Sequence, residues 1–138
     1  MKTKTSSRKF LTLTFIVLAL AALAVGLTGC SSDDGFSVGQ VQGDPFAFAG
    51  EITINGTVAA FSDDPNLFGV MDTDELMQCG RFDCGAWKMP TLYTGPQIPA
   101  ISQGDNVVMT GEFTRMDDMV VFQVNSMDVG NNIMNRLP

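Results

Sequence analysis

From Ala49 onward, apolar and polar residues alternate with a period of two. No window there holds an apolar stripe at helical spacing for three turns. A helical bundle is thereby excluded, and the chain must bury its apolar residues on one side of strands. The clearest stretch is 51–61: Glu51, Thr53, Asn55 and Thr57 are polar, whereas Ile52, Ile54, Val58 and Ala60 are small or apolar. Asn55-Gly56 is a strong signal for a two-residue hairpin. A hairpin there would pair Ile54 with Thr57 and Ile52 with Ala59, turning Val58 to the opposite face. One continuous strand keeps Ile52, Ile54 and Val58 together, with Gly56 as a kink or bulge, and is the expectation adopted.

Further strands are expected at 67–72, with Phe68 and Val70 inward, at Thr91–Thr94, at 106–114 and at 119–127. The last two are joined by the turn Arg115-Met-Asp-Asp118. The loop 73–90 holds two cysteines, Trp87 and room for a helical turn at Asp74–Met77. Five strands, the first long and bent and the last two a hairpin, predict an all-β fold closed into a small barrel over residues 49–130. Residues 131–138 read as a tail, and the polar, Gly-rich 30–48 as a flexible tether.

The first thirty residues follow a different rule. Lys2, Lys4, Arg8 and Lys9 stand without an acid, and a sixteen-residue run from Phe10 to Val25 is almost wholly apolar. A basic segment, a short apolar segment and small residues make an export signal. The run falls short of the ~20 residues that a spanning helix needs. Its end, Leu27-Thr28-Gly29-Cys30, resembles the lipobox of bacterial lipoproteins. That resemblance implies a diacylglyceryl group on the Cys30 sulfur, cleavage of residues 1–29, and acylation of the new amine. Several chains on one residue hold a membrane, where one alone does so marginally. An ordinary cleaved signal and an uncleaved anchor are the alternatives. Ser31 and Ser32, rather than an Asp after the cysteine, resemble the outer-membrane default in a Gram-negative host. The expected location is the cell envelope, lipid-anchored and facing the periplasm.

Maturation would change the charge balance. The whole chain carries −7, but beyond Cys30 only Arg81, Lys88, Arg115 and Arg136 oppose fifteen acids, a net charge near −11. Such a domain repels polyanions and lacks the clustered cations that phosphates require, so nucleic acid is not an expected partner. The chain has no histidine, which removes His-based triads, HExxH zinc sites and histidine haem ligation. Without it no nucleophile–base pair is available, and no catalytic residues are assigned.

Four residues lie between Cys79 and Cys84 in Cys-Gly-Arg-Phe-Asp-Cys. In an oxidising compartment a structural disulfide pinning the long loop is expected. A redox pair, normally spaced by two residues, and two ligands of a metal or haem site are the other readings.

Gly56-Thr57-Val58, Phe68-Gly-Val-Met-Asp72, Tyr93-Thr-Gly95, Ile98-Pro99, Gly104-Asp-Asn-Val-Val-Met-Thr-Gly111 and Phe122-Gln-Val124 carry a second resemblance. Together, over Glu51 to Val129, they are similar to the periplasmic OB-fold domain of the haem chaperones of cytochrome c maturation. The resemblance implies a five-stranded OB-fold barrel. Those chaperones attach haem through a histidine that this chain lacks, and the cysteine loop is an insertion, so no haem-binding role passes to any residue.

OB-folds bind ligands on the face of their second and third strands, framed by the first and last hairpin loops. Here that region offers Ser62–Asn66, Trp87, Tyr93 and Arg115–Asp118, with Trp87, Tyr93 and Arg115 as the candidate ligand face. The acids Asp63-Asp64, Asp72/Asp74/Glu75 and Asp117-Asp118 match no calcium loop. Met71, Met109 and Met127 fall at strand positions that suit core filling rather than copper. No metal and no cofactor are therefore expected. The sequence points to a membrane-anchored, non-catalytic binding or assembly module with an envelope protein as partner. A metal- or haem-handling accessory using Cys79, Cys84 and Met89 is the alternative.

Overall fold

The computed structural model describes residues 35–137; the segment 1–29 read as an export signal, the expected lipid site Cys30 and residues 31–34 lie outside them. In chain order the elements are β1 (Phe36–Ser37), α1 (Val38–Val41), a 3-10 turn (Pro45–Ala47), β2 (Ile52–Phe61), β3 (Leu67–Met71) and α2 (Thr73–Cys79). Then come β4 (Met89–Tyr93), β5 (Asp105–Met116), β6 (Met119–Asn132) and a second 3-10 turn (Met134–Arg136).

The strands form one sheet in the order β1-β2-β3-β4-β6-β5, and β2 also pairs with β5 and closes the barrel. The ring β2-β3-β4-β6-β5-β2, with a parallel β4–β6 contact, is the Greek-key barrel of an OB-like, all-β fold. Closure depends on β2 serving two neighbours. Its first half pairs with β5 from Ile52↔Gly111 to Thr57↔Asn106, and its second half pairs with β3 from Thr57↔Met71 to Phe61↔Phe68.

The hairpin at Asn55-Gly56 is absent and β2 is continuous, as expected. The bulge, however, falls between Val58 and Ala60 rather than at Gly56. Gly56 serves close packing instead. A Cβ there would sit 2.6 Å from Val70 Cγ1, 2.8 Å from the Met71 carbonyl oxygen and 2.8 Å from Val38 Cγ2. The helical turn expected at Asp74–Met77 extends to Thr73–Cys79, capped by the Asp72 carboxylate and ended by Gly80 in the left-handed region.

Residues 30–48 are not all tether. Val38 and Val41 are 1% and 0% exposed and join the main core with Ile54, Val58, Phe68 and Phe122. β1 lies parallel to β2 through Phe36↔Ile54 and Ser37↔Asn55. A capping box closes α1, with the Ser37 hydroxyl accepting from Gln40 N–H and the Gln40 side chain accepting from Ser37 N–H. Asp72 completes the attachment. Its Oδ2 accepts from Gly39 N–H at 2.8 Å, while Oδ1 accepts from Asp74 and Glu75 N–H at 3.0 and 3.1 Å. Burial on its own would raise the Asp72 pKa, but hydrogen bonds from Gly39, Ser37, Glu75 and Asp74 outweigh it and hold the carboxyl below the usual range. One carboxylate thus caps a helix and fastens the N-terminal strap.

The tail is corrected in the same way. Asn131 and Asn132 continue β6, and Ile133 is buried with Ala59, Met71 and Leu76 in a second apolar cluster. Gly104 links the two ends, donating to Val58 O and accepting from Ile133 N–H, both at 2.8 Å. Cys79 and Cys84 are joined as a disulfide and pack against this second cluster beside Phe82. The long loop is therefore pinned over the end of the barrel where the C-terminal turn docks.

Candidate functional site

The outer side of β2, β3 and β4 carries an apolar depression of about 200 Å³. Its floor is Gly69, and its walls are Phe61, Leu67, Lys88 and Pro90. Strand register explains the placement. Ala60 pairs with Gly69 and Gly69 with Pro90, so these outward positions stand side by side across three strands. Phe68 and Val70 point inward, which leaves Leu67 and Gly69 facing out. Where a side chain would fill the middle of that row, glycine leaves a gap. A Cβ at Gly69 would meet Lys88 Cβ at 3.4 Å and Ala60 Cβ at 3.5 Å.

Phe61 forms one wall and is 52% exposed. The Lys88 stem lies beside Gly69, so its aliphatic carbons line the groove and bring one cationic residue to its wall. The adjoining turn is held by its own side chains. The Ser62 hydroxyl accepts from Asp64 N–H at 3.0 Å, and Asp64 Oδ1 accepts from Asn66 N–H at 2.9 Å. Chemically the groove suits one apolar side chain with a neighbouring negative group. It offers no nucleophile beside a base.

The three residues expected on the ligand face separate. Tyr93 is 8% exposed and belongs to the main core, its ring packed inward under Gly95. It is not a ligand-face residue, because β4 alternates and Met89, Thr91 and Tyr93 share the buried phase. Trp87 is half-buried and packs against the edge of the main core. Arg115 is exposed, with its guanidinium 5.1 Å from the centre of the Phe46 ring, a cation–π contact. None of the three lines the groove. One signal in the sequence marked the groove: Gly69 interrupts the strand LFGVM, whereas the phase of Phe61 is reset by the bulge between Val58 and Ala60.

A second depression of about 220 Å³ is polar, lined by Glu51, Thr94, Gly111, Glu112, Gln123 and Asn125. Asn125 Nδ2 donates to Glu51 Oε2 at 2.7 Å across it. Among the described residues no group of three His, Cys, Asp or Glu side chains could hold a metal ion. Of the donors considered for metal or haem, Cys79 and Cys84 are taken up in the disulfide and Met89 is fully buried. Asp72 is committed to the strap and to α2.

No protein-family model matches the chain, and no curated protein matches it. Among solved structures it is similar to the Stn1–Ten1 complex of S. pombe, at 14% identity and a TM-score of 0.41. That match covers 62% of this chain and 62% of that one. It is also similar to the OBody AM1L10 bound to hen egg-white lysozyme, at 18% identity and a TM-score of 0.42, covering 63% of this chain and 85% of that one. A related OBody, AM3L09, matches at 21% identity and a TM-score of 0.42, over 64% and 88% of the two chains. The OB-like character of this barrel rests on its own strand order and closure.

Proposed function

We propose that this chain is a lipid-anchored envelope protein whose barrel is a non-catalytic binding module, with the groove over Gly69 receiving a side chain of a partner protein. The observation that carries the reading is the groove itself, an apolar gap with a lysine in its wall, on an outer barrel face beside an exposed phenylalanine. A fully buried Leu-sized side chain would gain about 1.5–3 kcal/mol there, enough for an anchor residue but not for a whole interface. Anchorage is supported by the lipobox-like Leu27-Thr28-Gly29-Cys30, and acidic charge argues against polyanion partners. The likeness to haem chaperones adds no ligand residue, because the chain has no histidine. A metal-handling role is disfavoured by the state of its donors: a disulfide and a buried methionine.

The test uses the full chain in a bacterial host with a photo-crosslinking residue at Phe61 or, as control, at the exposed Val108. A partner captured from Phe61 but not from Val108, and lost in Gly69→Leu, supports the groove. Equal capture at both positions, or capture unaffected by Gly69→Leu, refutes it. Separately, Cys30→Ser should move the protein from the membrane to the soluble fraction, and retention in the membrane would refute lipid anchorage.

A further inference from the structure

The proposed anchor and the observed strap together constrain how the barrel meets a bilayer. Only five residues, Ser31 to Gly35, separate Cys30 from Phe36, and Phe36 is locked into β1 against Ile54. Even fully extended, that connection spans no more than about 20 Å. A domain of this size has a radius of gyration of about 13 Å, so it is wider than its tether is long. The barrel side bearing Phe36 is therefore held beside the lipid, at high effective concentration for any weak contact.

That side presents rings. Phe36 and Phe46 are 38% and 44% exposed. Phe48, packed on the core, meets the Phe36 ring edge-on at a centroid distance of 4.9 Å. Arg115 lies over the Phe46 ring, placing one of the few cations of the mature chain there. Exposed aromatic rings with an adjacent guanidinium suit the boundary between acyl chains and phosphates. We infer that the surface formed by Phe36, Phe46 and Arg115 rests on a zwitterionic bilayer interface and orients the barrel on it. This rests on the lipid-anchor reading. Phe61 lies seven residues along β2 from Ile54, up to about 23 Å away, so the same orientation turns the groove from the membrane toward a soluble-side partner.

The experiment places a tryptophan reporter at either site in a Trp87→Phe background of the full lipidated chain: Phe46→Trp or Phe61→Trp. Each protein is reconstituted in phosphatidylcholine vesicles carrying brominated acyl chains, and matched thermal unfolding verifies that each variant is folded. The expected result is quenching about threefold stronger for Phe46→Trp than for Phe61→Trp, with a blue-shifted emission, since a ring at this depth reaches the upper acyl carbons. Both effects should vanish in the Cys30→Ser versions. Equal quenching of the two reporters in protein whose intact mass shows an acylated Cys30 would overturn the docking surface while leaving the anchor intact. An unacylated Cys30 on a membrane-bound chain would overturn the anchor and the inference built on it. A blue shift of Phe46→Trp that persists in soluble Cys30→Ser protein and grows with concentration would assign the surface to a second copy of the chain and also overturn it.

Discussion

Substitution of Asp72 by asparagine probes the feature on which the N-terminal strap depends. The carboxylate has two acceptor oxygens in use: Oδ1 holds the first turn of α2 through Asp74 and Glu75, and Oδ2 holds Gly39 N–H at 2.8 Å. A carboxamide has one acceptor oxygen. If that oxygen keeps α2 capped, an NH2 group faces Gly39 N–H, and a charge-assisted bond becomes a buried donor–donor contact. Hydrogen bonds to charged groups contribute about 1.5–3 kcal/mol, so Asp72→Asn should destabilise the domain by about 2–3 kcal/mol. In a domain of this size that lowers Tm by roughly 10 °C or more. The assay is thermal unfolding of the chain lacking its first 29 residues, with the disulfide intact, joined to hydrogen exchange at Gly39. The exchange should accelerate strongly. The pH dependence has a definite sign. Because the native Asp72 pKa is held below its unfolded value, its contribution is complete above about pH 4–5 and is lost as pH falls through the native pKa. The gap between wild type and Asp72→Asn should therefore close in acid. A Tm change under 2 °C at pH 7, or unchanged protection of Gly39, would refute the latch.

The same physics sets the other expectations. A chain starting at Asp44 loses Val38 and Val41, two fully buried side chains worth about 1.5–3 kcal/mol each, and should unfold or melt far lower; unchanged melting would restore the tether reading. Gly56→Ala should destabilise by about 1–3 kcal/mol in urea unfolding, because its Cβ meets backbone at Met71 as well as Val38 and Val70. Replacing Cys79 and Cys84 together by serine should cost about 2 kcal/mol from loop entropy, seen as a lower urea midpoint with little change in slope. Gly69→Leu should leave stability within about 0.5 kcal/mol, since its Cβ makes only ordinary contacts on an outer face.

What the chain shows by itself is what depends on near neighbours. Alternation from Ile52 to Val58 assigned the inward residues of β2, because a strand's period needs no partner to be read, and it failed at Ala60, beyond the bulge. The β5–β6 hairpin was legible for the same reason, with Met116↔Met119 closing on Asp117 at φ 53°. The cysteine pair was legible too, its short spacing matching the disulfide that forms. Distant contacts decided the rest. Val38 and Val41 sit in a polar, Gly-rich stretch that resembles a linker, and only Asp72 and the space over Gly56 make it a strap. Ile133 reads as tail until Gly104 and the α2 cluster receive it. Tyr93, expected on the ligand face, lies in the core, since the alternation of β4 puts it in one buried phase with Met89 and Thr91. Period and spacing are local and lie open in the sequence, whereas burial is a property of which surfaces meet, and that was decided when β2 bent to pair with both β3 and β5.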